Sequence, residues 1–150
     1  MSYTVGQAAE ILGIAPSALR YYENQGLLPN LERTQGGQRQ FREKDIEACR
    51  VIECLKSSGL SIKEIKEFMD LVAKGDKTLQ ARLDLFQKRR DVLRKELEQM
   101  QQVLDVLEFK CWYYGRAVKA GTEEAVRDLP QSKIPAKHRS AKAHLEGRQR

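Results

Sequence analysis

Cysteine, histidine and proline are scarce in this chain, which has three cysteines, two histidines and four prolines among 150 residues. Both histidines, His138 and His144, lie near the C-terminus and far from every cysteine. A structural or sensory metal site needs several soft ligands at suitable spacing, and nucleophilic catalysis needs a nucleophile beside a base. Neither pattern occurs, so we expect no bound metal, no cofactor and no enzymatic activity.

Long apolar runs and targeting segments are also missing. No stretch approaches the roughly eighteen apolar residues that indicate a membrane span, and the N-terminus does not resemble a signal peptide. The cysteines form no metal-type or redox-type pair, which fits a reducing compartment. We therefore expect a cytoplasmic protein with no membrane partner.

The positive net charge of +6 is unevenly distributed. Residues 1–73 carry nine Lys or Arg against ten Asp or Glu, whereas residues 115–150 carry nine against four. The isoelectric point therefore says little about the N-terminal part, and any nucleic-acid binding there depends on where individual charges lie.

Two short helices are predicted at the N-terminus. Thr4 and Gln7 have the spacing of a capping box, and the helix that they open, roughly 4–12, ends at Gly13. A second helix, roughly 16–25, opens on a proline at its first position. Two helices joined by a tight turn are the helix-turn-helix layout, whose second helix enters the major groove of DNA.

A wing and two further helices are predicted next. The glycine pair Gly36-Gly37 favours a hairpin over roughly 31–42. A third helix follows over about 43–58, and Ser61 with Glu64 forms a second capping box that opens a fourth. The loop between the third and fourth helices is the predicted second wing.

Several of these motifs occur in the order and at the intervals of one known family. Together they resemble the DNA-binding domain of the MerR family of transcription regulators: Tyr3-Thr4-Val5-Gly6, Leu19-Arg20-Tyr21-Tyr22-Glu23, Gly26-Leu27-Leu28-Pro29, the wing from Arg33 to Phe41, and Gly59-Leu60-Ser61-Ile62. The resemblance implies a winged helix-turn-helix domain over residues 1–73. It also implies a homodimer that binds double-stranded promoter DNA and distorts it in response to a signal, so that RNA polymerase can use the promoter.

Side chains suited to DNA contact are concentrated in the second helix and the wing. Arginine pairs with phosphate as a fork, hydroxyls donate single hydrogen bonds, and glycine permits close backbone approach. We expect the contacts to come from Thr4, Ser17, Ala18, Arg20, Tyr21, Tyr22, Arg33, Thr34, Gly37, Arg39 and Lys63. For Tyr22 the alternative is a ring buried between helices.

A heptad pattern begins at Asp76. Positions at alternating spacings of four and three are almost all apolar: Leu79, Leu83, Phe86, Arg90, Leu93, Leu97, Met100, Leu104, Leu107, Cys111 and Tyr114. Such a seam predicts a coiled coil over residues 76–114, and the resemblance implies an antiparallel dimerisation helix. The alternative is a helix folded back on its own domain. The predicted fold is thus mainly α, a winged helix-turn-helix domain followed by a long dimerisation helix.

Residues 115–150 carry weaker signals. A short helix is predicted after Thr122, and beyond Pro130 we expect a mobile basic tail, either merely solvated or adding non-specific attraction to DNA.

The nature of the signal depends on the cysteines. Cys54, just before Gly59, matches the subgroup of the family typified by the regulators NmlR and AdhR, in which a cysteine at this place is implicated in sensing aldehydes and related thiol-reactive species. Cys49 lies on the same helix but points about 140° away, so the two cannot bridge each other. The alternative for Cys54 is a half-buried packing residue. Cys111 stands alone where the family's metal sensors bind metal.

Three other functions stay open. An organic ligand could bind among Phe109, Trp112, Tyr113 and Tyr114, although aromatic residues there are more often packing. An effector-free DNA-bending protein would share the helix-turn-helix fold, but such proteins normally lack the long helix. A plain coiled-coil interaction protein would use the helix-turn-helix only as a cap.

Overall fold

The computed structural model describes residues 1–147 and is mainly helical, with a small sheet near the N-terminus. The elements in chain order are β1 (Ser2–Tyr3), α1 (Val5–Leu12), α2 (Pro16–Asn24), β2 (Glu32–Arg33), β3 (Arg39–Arg42), α3 (Glu43–Ser57), α4 (Ile62–Ala73), α5 (Leu79–Ala120), α6 (Glu124–Arg127) and α7 (Ala136–Leu145). Single turns of 3-10 helix occupy Asp76–Thr78 and Gln131–Lys133.

The chain divides into two compact units, Met1–Asp91 and Val92–Arg150, and the division falls inside α5. The start of α5 belongs to the first unit, where the Phe86 ring meets the Phe68 ring of α4 edge to face, with centroids 5.2 Å apart. The Arg89 guanidinium donates to the carbonyl of Ser58. These contacts explain why the division lies beyond Asp76, where the sequence pattern changes.

The first helices start and stop where the sequence predicts. The Thr4 hydroxyl accepts a hydrogen bond from the Gln7 amide at 3.3 Å, and the Gln7 side chain accepts from the Thr4 amide at 2.9 Å. Gly13 ends α1 in the left-handed conformation, at φ 66°. At α4, Ser61 and Glu64 form the second predicted capping box. These local bonds fix the entry and exit of the helices independently of tertiary packing.

The sheet has the order β1-β3-β2, with both outer strands antiparallel to β3. Ser2 lies opposite Arg42, and Glu32 lies opposite Gln40. The hairpin of β2 and β3 is the predicted wing. β1 was not predicted, since a strand of two residues has no recognisable alternation.

The core of the first unit joins α1, α2 and the sheet to α3 and α4. Its largest fully buried side chains are Tyr22, Phe41, Leu19, Leu27, Ile46, Ile52, Leu55, Ile65 and Cys49. This core holds the second helix of the helix-turn-helix and the central wing strand in one packed body.

The region beyond Pro130, for which the sequence predicts a mobile basic tail, contains a helix with buried residues. It forms α7, and Ile134, His138 and Ala141 are buried in a cluster with Phe109 of α5. These three residues recur at spacings of four and three, so one side of the segment packs although the rest is basic. The last three residues of the predicted tail, 148–150, lie outside the described residues.

Candidate nucleic-acid interface

The second helix, α2, has one buried side and one exposed side. Leu19 and Tyr22, three residues apart, are fully buried. Ser17, Arg20 and Tyr21 are exposed, and Ala18 is half-buried. Packing through Leu19 and Tyr22 therefore turns the arginine and the first tyrosine towards solvent, where they can meet a ligand.

Tyr22 belongs to the core and not to the exposed surface, which corrects the expectation of a DNA contact. Its ring is fully buried, its hydroxyl donates to the Glu53 carboxylate, and the Lys56 ammonium donates to that hydroxyl at 3.3 Å. Burial, with the Glu53 carboxylate next, raises the pKa of Tyr22 well above its usual value. The three-residue spacing from Leu19 was the signal in the sequence that could have placed it inside.

A shallow cleft joins the first helix, the second helix and the wing. Its volume is about 410 Å³, and it is lined by Thr4, Val5, Gly6, Arg20, Gln38 and Arg39. The residues at the start of α1 and Arg20 thus border the same opening. Helix N-termini and arginines both attract anions, so this cleft has the composition of a phosphate-binding surface.

The wing turn is closed by hydrogen bonds around Thr34. The Thr34 amide donates to the Gln38 carbonyl at 2.8 Å, and the Gly37 amide donates to the Thr34 carbonyl at 2.9 Å. The Thr34 hydroxyl accepts from the Gln38 amide at 3.1 Å. Gly37 has φ 80° and no neighbour within 4 Å of an added Cβ, so the backbone conformation, and not crowding, requires glycine here. The tip is exposed and preorganised.

Arg33 and Arg39 both contact Glu23, a residue that sequence reasoning did not include in the site. Arg33 Nη2 donates to Glu23 Oε1 at 2.7 Å, and Arg39 Nε donates to Oε2. Burial alone would raise the pKa of Glu23, but the hydrogen bonds and charges of Arg39 and Arg33 outweigh it and lower the pKa. Glu23 lies ten residues from Arg33 and 16 from Arg39, so only the folded chain reveals the contact.

Lys63 lies in the first turn of α4 and is exposed. The nearby Lys66 instead pairs with Asp70 at 2.8 Å. An exposed lysine at a helix N-terminus adds positive charge where the helix dipole already favours an anion.

The two thiols of α3 have opposite environments. Cys49 is fully buried, and burial, with smaller effects of Asp45 and Glu53, raises the pKa of its thiol to about 12. Cys54 is exposed. A thiol must ionise to react quickly with electrophiles, so Cys49 is protected. Position alone thus distinguishes two thiols that the sequence left comparable.

The aromatic end of α5 is packed. Within the second unit, Phe109 lies 6.0 Å from Trp112 and 6.2 Å from His138 between ring centroids. A neighbouring cleft beside α7 has a volume of only about 20 Å³.

Two further searches cover residues 1–147. No three metal-binding side chains cluster within that range. None of the helices described there combines the length and apolarity needed to cross a membrane.

Comparison with known proteins identifies the fold and the family. The model described as MerR HTH family regulatory protein matches residues 3–71, and the model described as MerR, DNA binding, matches residues 47–108. An uncharacterized HTH-type transcriptional regulator of Haemophilus influenzae is 39% identical over 131 residues, 87% of this chain and 96% of that protein. The regulator AdhR of Bacillus subtilis is 36% identical over 89 residues, 59% of this chain and 64% of AdhR.

A solved structure of a similar protein contains DNA. HiNmlR, described as a MerR family regulator lacking the sensor domain and bound to promoter DNA, is 38% identical, with a TM-score of 0.71 over 84% of this chain and 100% of HiNmlR. The matches span the helix-turn-helix, the wing and most of α5. The chain therefore belongs to the MerR family of helix-turn-helix transcriptional regulators.

Proposed function

We propose that this protein binds double-stranded promoter DNA as a homodimer, distorts it in response to a signal, and so regulates transcription by RNA polymerase in the cytoplasm. The cleft that joins the start of α1, the exposed side of α2 and the wing is the observation that carries the proposal. In this account the protein has no catalytic role. The residues assigned to DNA contact are Thr4, Ser17, Ala18, Arg20, Tyr21, Arg33, Thr34, Gly37, Arg39 and Lys63.

The contacts divide by chemistry. Arg20 forks onto a phosphate beside the start of α1, and the hydroxyl of Tyr21 donates a single bond to the backbone of the duplex. The Thr4 hydroxyl donates to the Gln7 side chain at 3.1 Å in the protein alone and exchanges that bond for one to the duplex backbone on binding. Ser17 and Ala18, at the start of α2, face the base edges. HiNmlR, which is similar to this chain, is described as bound to promoter DNA, and this supports DNA binding as the role of the surface.

Homodimer formation is supported by the exposure of the heptad positions along α5. Leu97 is 62% exposed, Met100 68% and Leu107 58%, in a helix where most other positions are polar. Exposed apolar stripes of this kind indicate an interface with another helix. A second copy in antiparallel orientation supplies that helix and presents two DNA-binding units to a two-fold symmetric site.

For the signal we propose an electrophile that reacts with Cys54. The thiolate adds to the carbonyl carbon of an aldehyde, and the resulting alkoxide takes a proton from water. Glu53, the residue before Cys54 on α3, accepts the hydrogen bond from Tyr22 of α2, so an adduct on Cys54 changes α3 beside the contact that positions the recognition helix. HiNmlR is described as lacking the sensor domain, which agrees with a signal read inside the DNA-binding part.

An organic ligand at the end of α5 has less support. The aromatic residues there pack on one another and on His138, and the adjoining cleft of about 20 Å³ holds about one water molecule. If Cys54 does not react with electrophiles, the competing account is an effector-free DNA-bending protein.

Run-off transcription from the promoter upstream of the protein's own gene tests the proposal. Wild type, Cys54→Ser and Cys111→Ser are compared with and without formaldehyde or methylglyoxal. We expect a response in wild type and in Cys111→Ser that disappears in Cys54→Ser. An equal response in all three rejects Cys54 as the sensor, and DNA binding without any response in wild type favours the effector-free protein.

A further inference from the structure

We infer that Glu23 is a positioning residue for DNA recognition: its carboxylate fixes the wing on the recognition helix and holds Arg33 and Arg39 in set positions. The inference rests on the proposed function, because it names the residue that orders the proposed DNA interface. Glu23 is not itself a DNA contact in this account.

Both oxygens of the Glu23 carboxylate are engaged, and each reaches a different strand of the wing. Oε1 accepts from Arg33 on β2 at 2.7 Å, and Oε2 accepts from Arg39 on β3. Arg33 uses a second nitrogen, Nη1, to donate to the Gly37 carbonyl at 3.1 Å. One side chain of α2 thus holds the two strands directly and the tip of the turn through Arg33.

The exposure of the three side chains favours a positional role over a surface ion pair of little consequence. Glu23 is 17% exposed, Arg39 24% and Arg33 47%. A half-exposed pair contributes little to stability because water competes with it, but a mostly covered carboxylate held by two guanidinium groups fixes geometry. Almost half of the Arg33 side chain stays exposed and so accessible to a phosphate.

The charge balance explains what the arrangement does to binding. Two guanidinium groups and one carboxylate leave a single net positive charge at the junction of helix and wing. Free arginines would attract any phosphate, whereas fixed and partly neutralised ones favour a duplex whose backbone fits their positions. Glu23 therefore lowers non-specific attraction and raises discrimination between sequences.

Glu23→Gln tests this, because it keeps the size of the side chain and removes the charge. A duplex selected from a random library by wild-type protein is the specific probe, and a shuffled duplex of the same composition is the non-specific probe. We expect the affinity ratio between the two to fall about tenfold, as for the loss of one charge-assisted hydrogen bond. Affinity for the shuffled duplex stays equal or rises, and its salt dependence steepens, since one more positive charge is available.

Glu32→Gln is the matched control, since Glu32 pairs with Arg42 inside the wing and does not reach α2. We expect it to leave the ratio unchanged. If Glu23→Gln lowers both affinities in parallel with the melting temperature, Glu23 is only structural and the inference is wrong. The inference is also overturned if the affinity ratio and the salt dependence of Glu23→Gln both equal those of the wild type. If the wild-type protein enriches no sequence from the library, the proposed function itself fails. That result comes from the wild type alone, so it is distinct from any result with Glu23→Gln.

Discussion

The hydroxyl of Tyr22 on α2 donates a hydrogen bond to the carboxylate of Glu53 on α3. The Lys56 ammonium donates to the same hydroxyl and lies 5.7 Å from the centre of the ring. The recognition helix is therefore fixed from the inside by the helix that carries Cys54, while Arg20 and Tyr21 remain on its outer side. Stability and DNA contact thus depend on adjacent residues of α2.

Comparing Tyr22→Phe with Tyr21→Phe separates the contribution to stability from the contact with DNA. Removing the Tyr22 hydroxyl leaves Glu53 and Lys56 without their shared partner, and we expect a loss of about 1–2 kcal/mol in the free energy of unfolding. DNA affinity of the folded protein falls less than in Tyr21→Phe, because the phenyl ring still packs in the core and holds α2. Tyr21→Phe should weaken DNA binding and leave the free energy of unfolding nearly unchanged, since Tyr21 is 46% exposed. Urea unfolding measures the stability of the two variants, and fluorescence anisotropy measures their DNA affinity. Equal losses of stability in both variants would contradict the assignment.

Thiol labelling distinguishes the cysteines of α3. At pH 7.5 we expect N-ethylmaleimide to modify Cys54 in the native protein and Cys49 only after unfolding, because burial raises the pKa of Cys49 to about 12. Mass spectrometry of digested samples, taken over time with and without urea, reports each site. Rapid native labelling of Cys49 would show that α3 opens more readily than its packing implies.

The exposed seam of α5 predicts a dimer that one charge can break. Leu97→Glu places a carboxylate in the middle of the proposed interface. We expect the dissociation constant of the dimer to rise at least a hundredfold, because an unpaired buried charge costs about 3 kcal/mol or more. Gln99→Glu adds the same charge at an exposed position off the seam and should leave the dimer intact. Analytical ultracentrifugation decides the matter. A monomeric wild type would refute the dimer, and a dimeric Leu97→Glu would move the interface elsewhere.

Local signals in the sequence predicted the helices of the DNA-binding unit. The capping boxes at Thr4 and Ser61 use side chains within one turn, so a short stretch of sequence contains all the information. The glycine pair in the wing is equally local. The family resemblance adds the order of these elements, which the comparisons confirm.

Contacts between distant parts of the chain were not predictable in the same way. Glu23 meets arginines ten and 16 residues away, and nothing in its own segment distinguishes it from a solvated acid. In the second unit, α7 escaped prediction because its few buried residues, among them the polar His138, are separated by lysines and arginines. Tyr22 differs, since its spacing from Leu19 contained the answer.

Binding of the selected duplex by wild type, Arg20→Ala and Arg50→Ala tests the central claim most directly. Both arginines are exposed, but Arg20 lines the cleft between α1, α2 and the wing, and Arg50 lies on α3 outside it. We expect Arg20→Ala to weaken binding at least fivefold and to reduce the salt slope by about one, with Arg50→Ala close to wild type. Equal affinity and equal salt slope for all three proteins would contradict a DNA interface at this cleft.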